Sequence, residues 1–304
     1  MNKARLISAL LATACTLPAS AATYTFVVAG LGGEPGYEQR FREHAAAVAS
    51  AAEKAAGSTA NVMSLSGDAA RADAVKRDIK SLASRMSTSD SAVIVLIGHG
   101  SYDGENYRFN LPGPDLTDSE LARLFDELPA RDQLIINATS ASGAVAERWK
   151  KPRRVVITAT KSGGEKTATR FAQYWAQAVA SEAADTNKDQ IVTAAEAYAF
   201  ATNQIAAAFK AETSMATEHA RMEGDDAGRF TLARLGAGEV MPDNPEVAAL
   251  LSQRGVIEQD LDRVKEQRAA LPDTQYYDQL EEVLVRLALL QREIDAKAGG
   301  GATP

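Results

Sequence analysis

Two short strings and one loop hold the side chains able to do chemistry. The chain contains three histidines, His44, His99 and His219. His44 reads as part of a helix and His219 as part of a polar late segment, where packed or solvated roles suit them. His99 differs: it stands between two glycines, Gly98-His99-Gly100, directly after the apolar run Val93 to Ile97. That places an imidazole at the carboxyl end of a buried strand, where α/β folds gather ligands and catalytic groups. A second run, Gln133 to Ala138, ends in Thr139-Ser140-Ala141-Ser142-Gly143. If the two strands are parallel neighbours, His99 and the Ser140 hydroxyl face one cleft. Serine is a weak nucleophile that needs a base in contact, usually oriented by a third group. Spacing supplies no such orienting carboxylate; Asp103 and Glu105 are the nearest acids in sequence. The only cysteine is Cys15.

The loop is Asp185-Thr186-Asn187-Lys188-Asp189-Gln190-Ile191-Val192-Thr193-Ala194-Ala195-Glu196. Oxygen ligands at Asp185, Asn187, Asp189 and Thr193, with Glu196 in twelfth place, match a calcium loop. Gln190 departs from it, because the sixth position normally needs a glycine able to take a positive φ. Thr193-Ala194-Ala195-Glu196 also reads as a capping box opening a helix, and the two readings are compatible.

Two glycine-rich stretches imitate phosphate loops without meeting their requirements. In Gly30-Leu31-Gly32-Gly33-Glu34-Pro35-Gly36 the third glycine is one position late, and Glu34 brings negative charge to the helix start that a pyrophosphate would occupy. In Gly163-Gly164-Glu165-Lys166-Thr167, Glu165 interrupts the Gly-Lys pair. Both read as turns.

The elements that must position His99 and Ser140 alternate strand with helix. Strands are expected at 23–29, 61–65, 91–97, 133–138 and 154–158, with helices at about 35–56, 70–86, 119–127, 143–150 and 167–181. Continuous apolar strands such as Ala92-Val93-Ile94-Val95-Leu96-Ile97 indicate a mostly parallel sheet covered on both faces. The fold class is α/β.

At this point the sequence resembles the legumain family and the wider caspase-like clan of cysteine peptidases. In those enzymes a hydrophobic strand ends in His-Gly and the next ends in a nucleophile followed by x-Ser-Gly; here the strings are His99-Gly100 and Ala138-Thr139-Ser140-Ala141-Ser142-Gly143. The segment Val156-Ile157-Thr158-Ala159-Thr160-Lys161-Ser162-Gly163-Gly164 is similar to the one that walls the legumain substrate pocket. The resemblance spans roughly Tyr24 to Leu235 and implies a three-layer sandwich with Lys161, Ser162 and Gly163 in the binding wall. Where the family has cysteine, this chain has Ser140, or Thr139 if the strand is aligned without its Ser-Gly anchor.

Three functions follow as expectations. One is a peptidase homologue without cysteine-protease activity that binds peptide or protein. Another is a serine-variant endopeptidase or amidohydrolase with Ser140 as nucleophile, His99 as base, and the Gly100 and Ser140 amides stabilising the oxyanion. The last is a calcium-dependent binding module. None requires a cofactor, apart from Ca2+ in the last.

Composition sets the frame. At 304 residues, 45% hydrophobic and 24% charged, the chain can bury a substantial core. A net charge of -7 and no basic stripe speak against nucleic acid as a partner. Lys3 and Arg5 before the apolar run Leu6 to Leu17 and Pro18-Ala19-Ser20-Ala21 read as a secretory signal over residues 1–21, predicting a periplasmic or secreted protein. Removing that segment takes away two cations and no acid, moving the charge to -9. No stretch predicts a membrane span. The α/β domain is expected over 22–240. Leu280, Val283, Leu287, Leu290 and Ile294 form a coiled-coil-like seam, matched by Ile257, Leu261, Val264 and Leu271, so residues 243–298 read as an antiparallel helical hairpin turning at Pro272. It packs on the domain or on a protein partner, and 299–304 is a loose tail.

Overall fold

The computed structural model describes residues 21–56, 58–225, 227–235 and 271–298, together with individual positions between 246 and 269. The expected signal (apart from its last residue), linker and tail lie outside the described residues.

Chain order begins β1 (Thr23–Ala29), α1 (Pro35–Ala56), β2 (Val62–Leu65), α2 (Ala72–Arg85) and β3 (Ser91–Gly98). A small antiparallel sheet follows, β4 (Gly100–Tyr102), β5 (Tyr107–Phe109) and β6 (Leu116–Thr117). Then come α3 (Asp118–Asp126), β7 (Asp132–Thr139), α4 (Ala146–Trp149), β8 (Arg154–Thr158) and α5 (Phe171–Ala178). The domain continues with β9 (Ile191–Thr193), α6 (Ala194–Ala211), β10 (Arg221–Glu223) and β11 (Thr231–Arg234); α7 (Asp273–Ala298) is the last helix.

The main sheet runs β10-β8-β7-β3-β1-β2, parallel except for β10, which pairs antiparallel with β8. The middle of each central strand is apolar because alternate residues feed two cores. Val93, Val95 and Ile97 of β3, with Leu134, Ile136 and Ala138 of β7, join residues of α1, α5 and α6. Ala92, Ile94, Leu96 and Ile135 join residues of α2 and α3. This period of two, with helices on both faces, makes a three-layer α/β sandwich. Thr117 caps α3 in a full capping box with Glu120, which explains the abrupt turn from β6 into helix.

The parallel strands follow the doubly wound order in which the chain reverses direction between β1 and β3, and the crevice outside those strand tips is where such sheets take ligands. His99 immediately follows β3, and the Gly30–Gly33 turn follows β1.

Beyond the domain, α7 has partners that run antiparallel to it. Lys297 pairs with Glu246 at 2.7 Å, Arg254 donates to Gln291 at 2.8 Å, and Arg286 pairs with Asp260 at 3.2 Å. Val247 and Leu250 are buried with Leu290 and Ile294, and Ile257 packs beside them. Among the described residues no helix is long and apolar enough to cross a membrane.

Candidate functional site

Strands β3 and β7 are paired through Gly98 and Thr139, so residues 99 and 140 begin adjacent loops. Gly98 sits at φ +144°, a conformation that favours glycine, and releases the chain from β3 into β4.

The His99 ring goes to the α1 layer. It meets Tyr37 and Phe41 edge-on, with centroids 4.9 and 5.0 Å away, and is half-buried. Burial lowers its pKa; a hydrogen bond to the Gly32 backbone opposes that, while Arg40 lowers it and Glu34 raises it. The ring is therefore neutral at physiological pH, the form a general base needs.

Ser140 is 2% exposed, and its hydroxyl is engaged with Gly100 on both sides. Gly100 N–H donates to Ser140 Oγ at 3.2 Å, and Oγ donates to the Gly100 carbonyl at 3.3 Å. The amide that the serine-hydrolase reading assigns to an oxyanion is thus bound to the hydroxyl itself. A Cβ on Gly100 would lie 2.5 Å from Ser140 O and 2.7 Å from Thr139 Oγ1, so the approach of β4 to this turn requires glycine. No hydrogen bond joins His99 to Ser140 among the described residues. Thr139 Oγ1 faces a different set, sharing a 2.7 Å hydrogen bond with the buried Tyr107 hydroxyl and donating to Asn137 Oδ1 at 2.8 Å. Burial raises the Tyr107 pKa.

Ser142 and Gly143 act as a latch between strand tips. Gly143 N–H donates to Thr160 Oγ1 at 2.8 Å, and Thr160 N–H donates to Ser142 Oγ at 3.2 Å. Ala141, at φ +57°, turns the chain between Ser140 and this latch and donates its amide to the Glu165 carbonyl at 2.7 Å. The predicted binding wall therefore lies against the Ser140 turn: Lys161 and Ser162 are exposed, while Gly163 is covered by the Tyr102 ring.

Sequence reasoning missed the charged cluster behind that wall. Glu165 accepts the Lys161 and His219 amides at 2.9 and 3.1 Å and meets His219 Nδ1 at 2.5 Å. Beside it Glu218 is buried; its Oε2 accepts the Arg170 amide at 2.7 Å and its Oε1 has no hydrogen-bond partner among the described residues. Desolvation pushes the Glu218 carboxyl up to about 7. The only sequence signal was Glu165 spoiling a phosphate-loop pattern. The other such pattern is closed by the chain itself: Gly32 N–H donates to Glu38 Oε2 at 3.0 Å, placing a carboxylate at the helix start.

The acidic loop is held by its own amides. Asp185 accepts from Asp189 and Gln190, Asp189 from Ile191, and Glu196 from Thr186 and Thr193, completing the expected capping box. Asn187 bridges to Asp189. Among the described residues no group of three or more His, Cys, Asp or Glu side chains is placed to hold a metal ion. Gln190 adopts φ +64°, the left-handed conformation that glycine takes more cheaply. Gln190→Gly is expected to raise stability by about 0.5–1 kcal/mol, the relief of strain less the entropy glycine adds to the unfolded chain. Urea unfolding checks this; an unchanged or lowered midpoint contradicts it.

No known protein-family profile matches the chain, and no curated protein matches it. Solved structures similar to it include protein GSU0716 from Geobacter sulfurreducens, at 11% identity over 70% of this chain and 99% of that one, with a TM-score of 0.47. Caspase-1 from Spodoptera frugiperda is 10% identical over 67% and 86%, with a TM-score of 0.44. The Drosophila initiator caspase Dronc is 9% identical over 71% and 84%, with a TM-score of 0.43.

Proposed function

We propose that this chain is an exported homologue of the caspase and legumain peptidases that binds peptide or protein segments at the β1/β3 crevice and does not cleave them. The carrying observation is the buried Ser140 hydroxyl, which gives its proton to the Gly100 carbonyl and takes that residue's amide in return. Acting as a nucleophile would require Ser140 to break both bonds and reach a base whose ring rests on α1. The half-exposed His99 and Tyr37 give the crevice a polar and aromatic surface suited to a peptide backbone. The reading requires no cofactor.

The test follows the His99 ring by nuclear magnetic resonance while a degenerate decapeptide mixture is added, and then weighs the peptides by mass spectrometry after long incubation. Shifted ring resonances and intact peptides are expected. Peptides cut by the wild type and spared by Ser140→Ala, or a ring that peptide leaves unmoved, overturn the reading.

A further inference from the structure

Between α6 and β10 the chain crosses the surface as an irregular segment pinned at three points. Arg170 Nη1 and Nη2 donate to the Glu212 carboxylate at 2.6 and 2.8 Å, just where α6 ends. Residues 213–217 are then exposed, Met215 at 88%, before Glu218 turns inward to 3% exposure. There its Oε2 accepts the Arg170 amide at 2.7 Å. The third pin is His219, whose amide and Nδ1 both meet Glu165. Thr213 starts the segment at φ +53°, a left-handed conformation costly for a β-branched residue, so the segment is held down against backbone strain.

The third pin also braces the wall. Glu165 Oε2 accepts the Lys161 amide at 2.9 Å, Lys161 Nζ lies 3.7 Å from Oε1, and the Glu165 carbonyl takes the amide of Ala141, next to Ser140. The middle pin is the one that can fail. Glu218 Oε1 is buried and has no hydrogen-bond partner among the described residues. Two charges face this carboxyl: Arg170 at the start of α5, which is shared with Glu212 and lies near Tyr174, and the Glu165 carboxylate in the loop after β8. His219 follows it on the segment itself. A neutral carboxyl can stay in this position, whereas an anion would bury an incompletely paired charge near another of the same sign. Burial pushes the Glu218 carboxyl up to about 7, so the change falls within the physiological range.

We propose that residues 212–219 form a pH-operated strap: a proton on Glu218 keeps it against the Lys161–Glu165 wall, and loss of that proton to water lifts it, drawing His219 away from Glu165. Acid therefore closes the wall beside the Ser140 turn, and alkali removes its brace. The inference is independent of what the β1/β3 crevice binds.

Hydrogen exchange of the purified chain tests it, read by nuclear magnetic resonance at pH 5.5, 7 and 8 and corrected for the intrinsic rate at each pH. The Arg170 and His219 amides, donors to Glu218 and Glu165, are expected to lose protection about tenfold or more from pH 5.5 to 8. Leu96, in the centre of β3, should stay more protected than either throughout. Glu218→Gln keeps an oxygen for the Arg170 amide and cannot ionise, so it should hold both amides protected at every pH. His219→Gln should leave the response at Arg170 in place. Constant protection of the two wild-type amides overturns the strap, as does exchange no faster than that of Leu96, since the opening is then global. A response kept in Glu218→Gln and lost in His219→Gln moves the sensor to the imidazole and overturns the role of Glu218.

Discussion

Gly143→Ala is expected to cost on the order of 3–5 kcal/mol of stability, the largest loss of any single methyl added near the site. The added carbon would overlap Ser162 N and Lys161 C and lie 2.5 Å from Thr160 O, all main-chain atoms that no side-chain rotation can move aside. The substitution must therefore push the β8 loop away from the Ser140 turn and break the bonds of the latch to Thr160. Gly36→Ala is the control: nothing lies within 4 Å of its Cβ, it sits in the first turn of α1, and it should be neutral or slightly stabilising. Urea unfolding of both variants provides the comparison. Equal midpoints would mean that the two loops are not in contact.

The second large effect depends on pH. Glu218 titrates at about 7 in the fold against a usual 4.5. Between those values the native state holds a proton that the unfolded chain has released, so stability falls as pH rises from about 4.5 to 7. The contribution is complete below the lower value and lost above the upper one. Glu218→Gln removes the charge while keeping an oxygen for the Arg170 amide. At pH 8 the variant should be more stable than the wild type by about 2–3 kcal/mol, with the difference vanishing near pH 4. Unfolding at pH 4, 6 and 8 measures it, and parallel pH profiles for the two proteins would refute the assignment.

The main sheet was legible because its strands are buried on both faces. Thr23–Ala29 and Arg154–Thr158 begin and end where their apolar runs do, and β3 and β7 run one or two residues past theirs. The pieces that escaped notice are short and mixed in polarity: β4 to β6 have three residues or fewer, and β10 has three partly buried residues reversed at the sheet edge. No period can be read from three residues. The helix expected at 35–56 forms over those residues, but two others are shorter than expected; 167–181 contracts to Phe171–Ala178, and 143–150 becomes a 3₁₀ turn followed by the single turn of α4.

At the site, sequence pattern located the two strand tips but could not give the direction of their side chains. That His99 follows a strand was readable; that its ring lies on Tyr37 and Phe41 depends on packing against a helix sixty residues earlier. Ser142-Gly143, taken as a family landmark, has a local structural use in holding Thr160. The Glu165–His219 pair joins residues 54 apart and leaves no local trace.

The reactivity of Ser140 tests the central claim most directly. A fluorophosphonate probe, followed by peptide mapping of the purified chain, should leave Ser140 unlabelled at neutral pH, because its hydroxyl is covered and held by Gly100. A stoichiometric adduct at Ser140 that disappears in His99→Ala would contradict the account and establish a working serine–histidine pair.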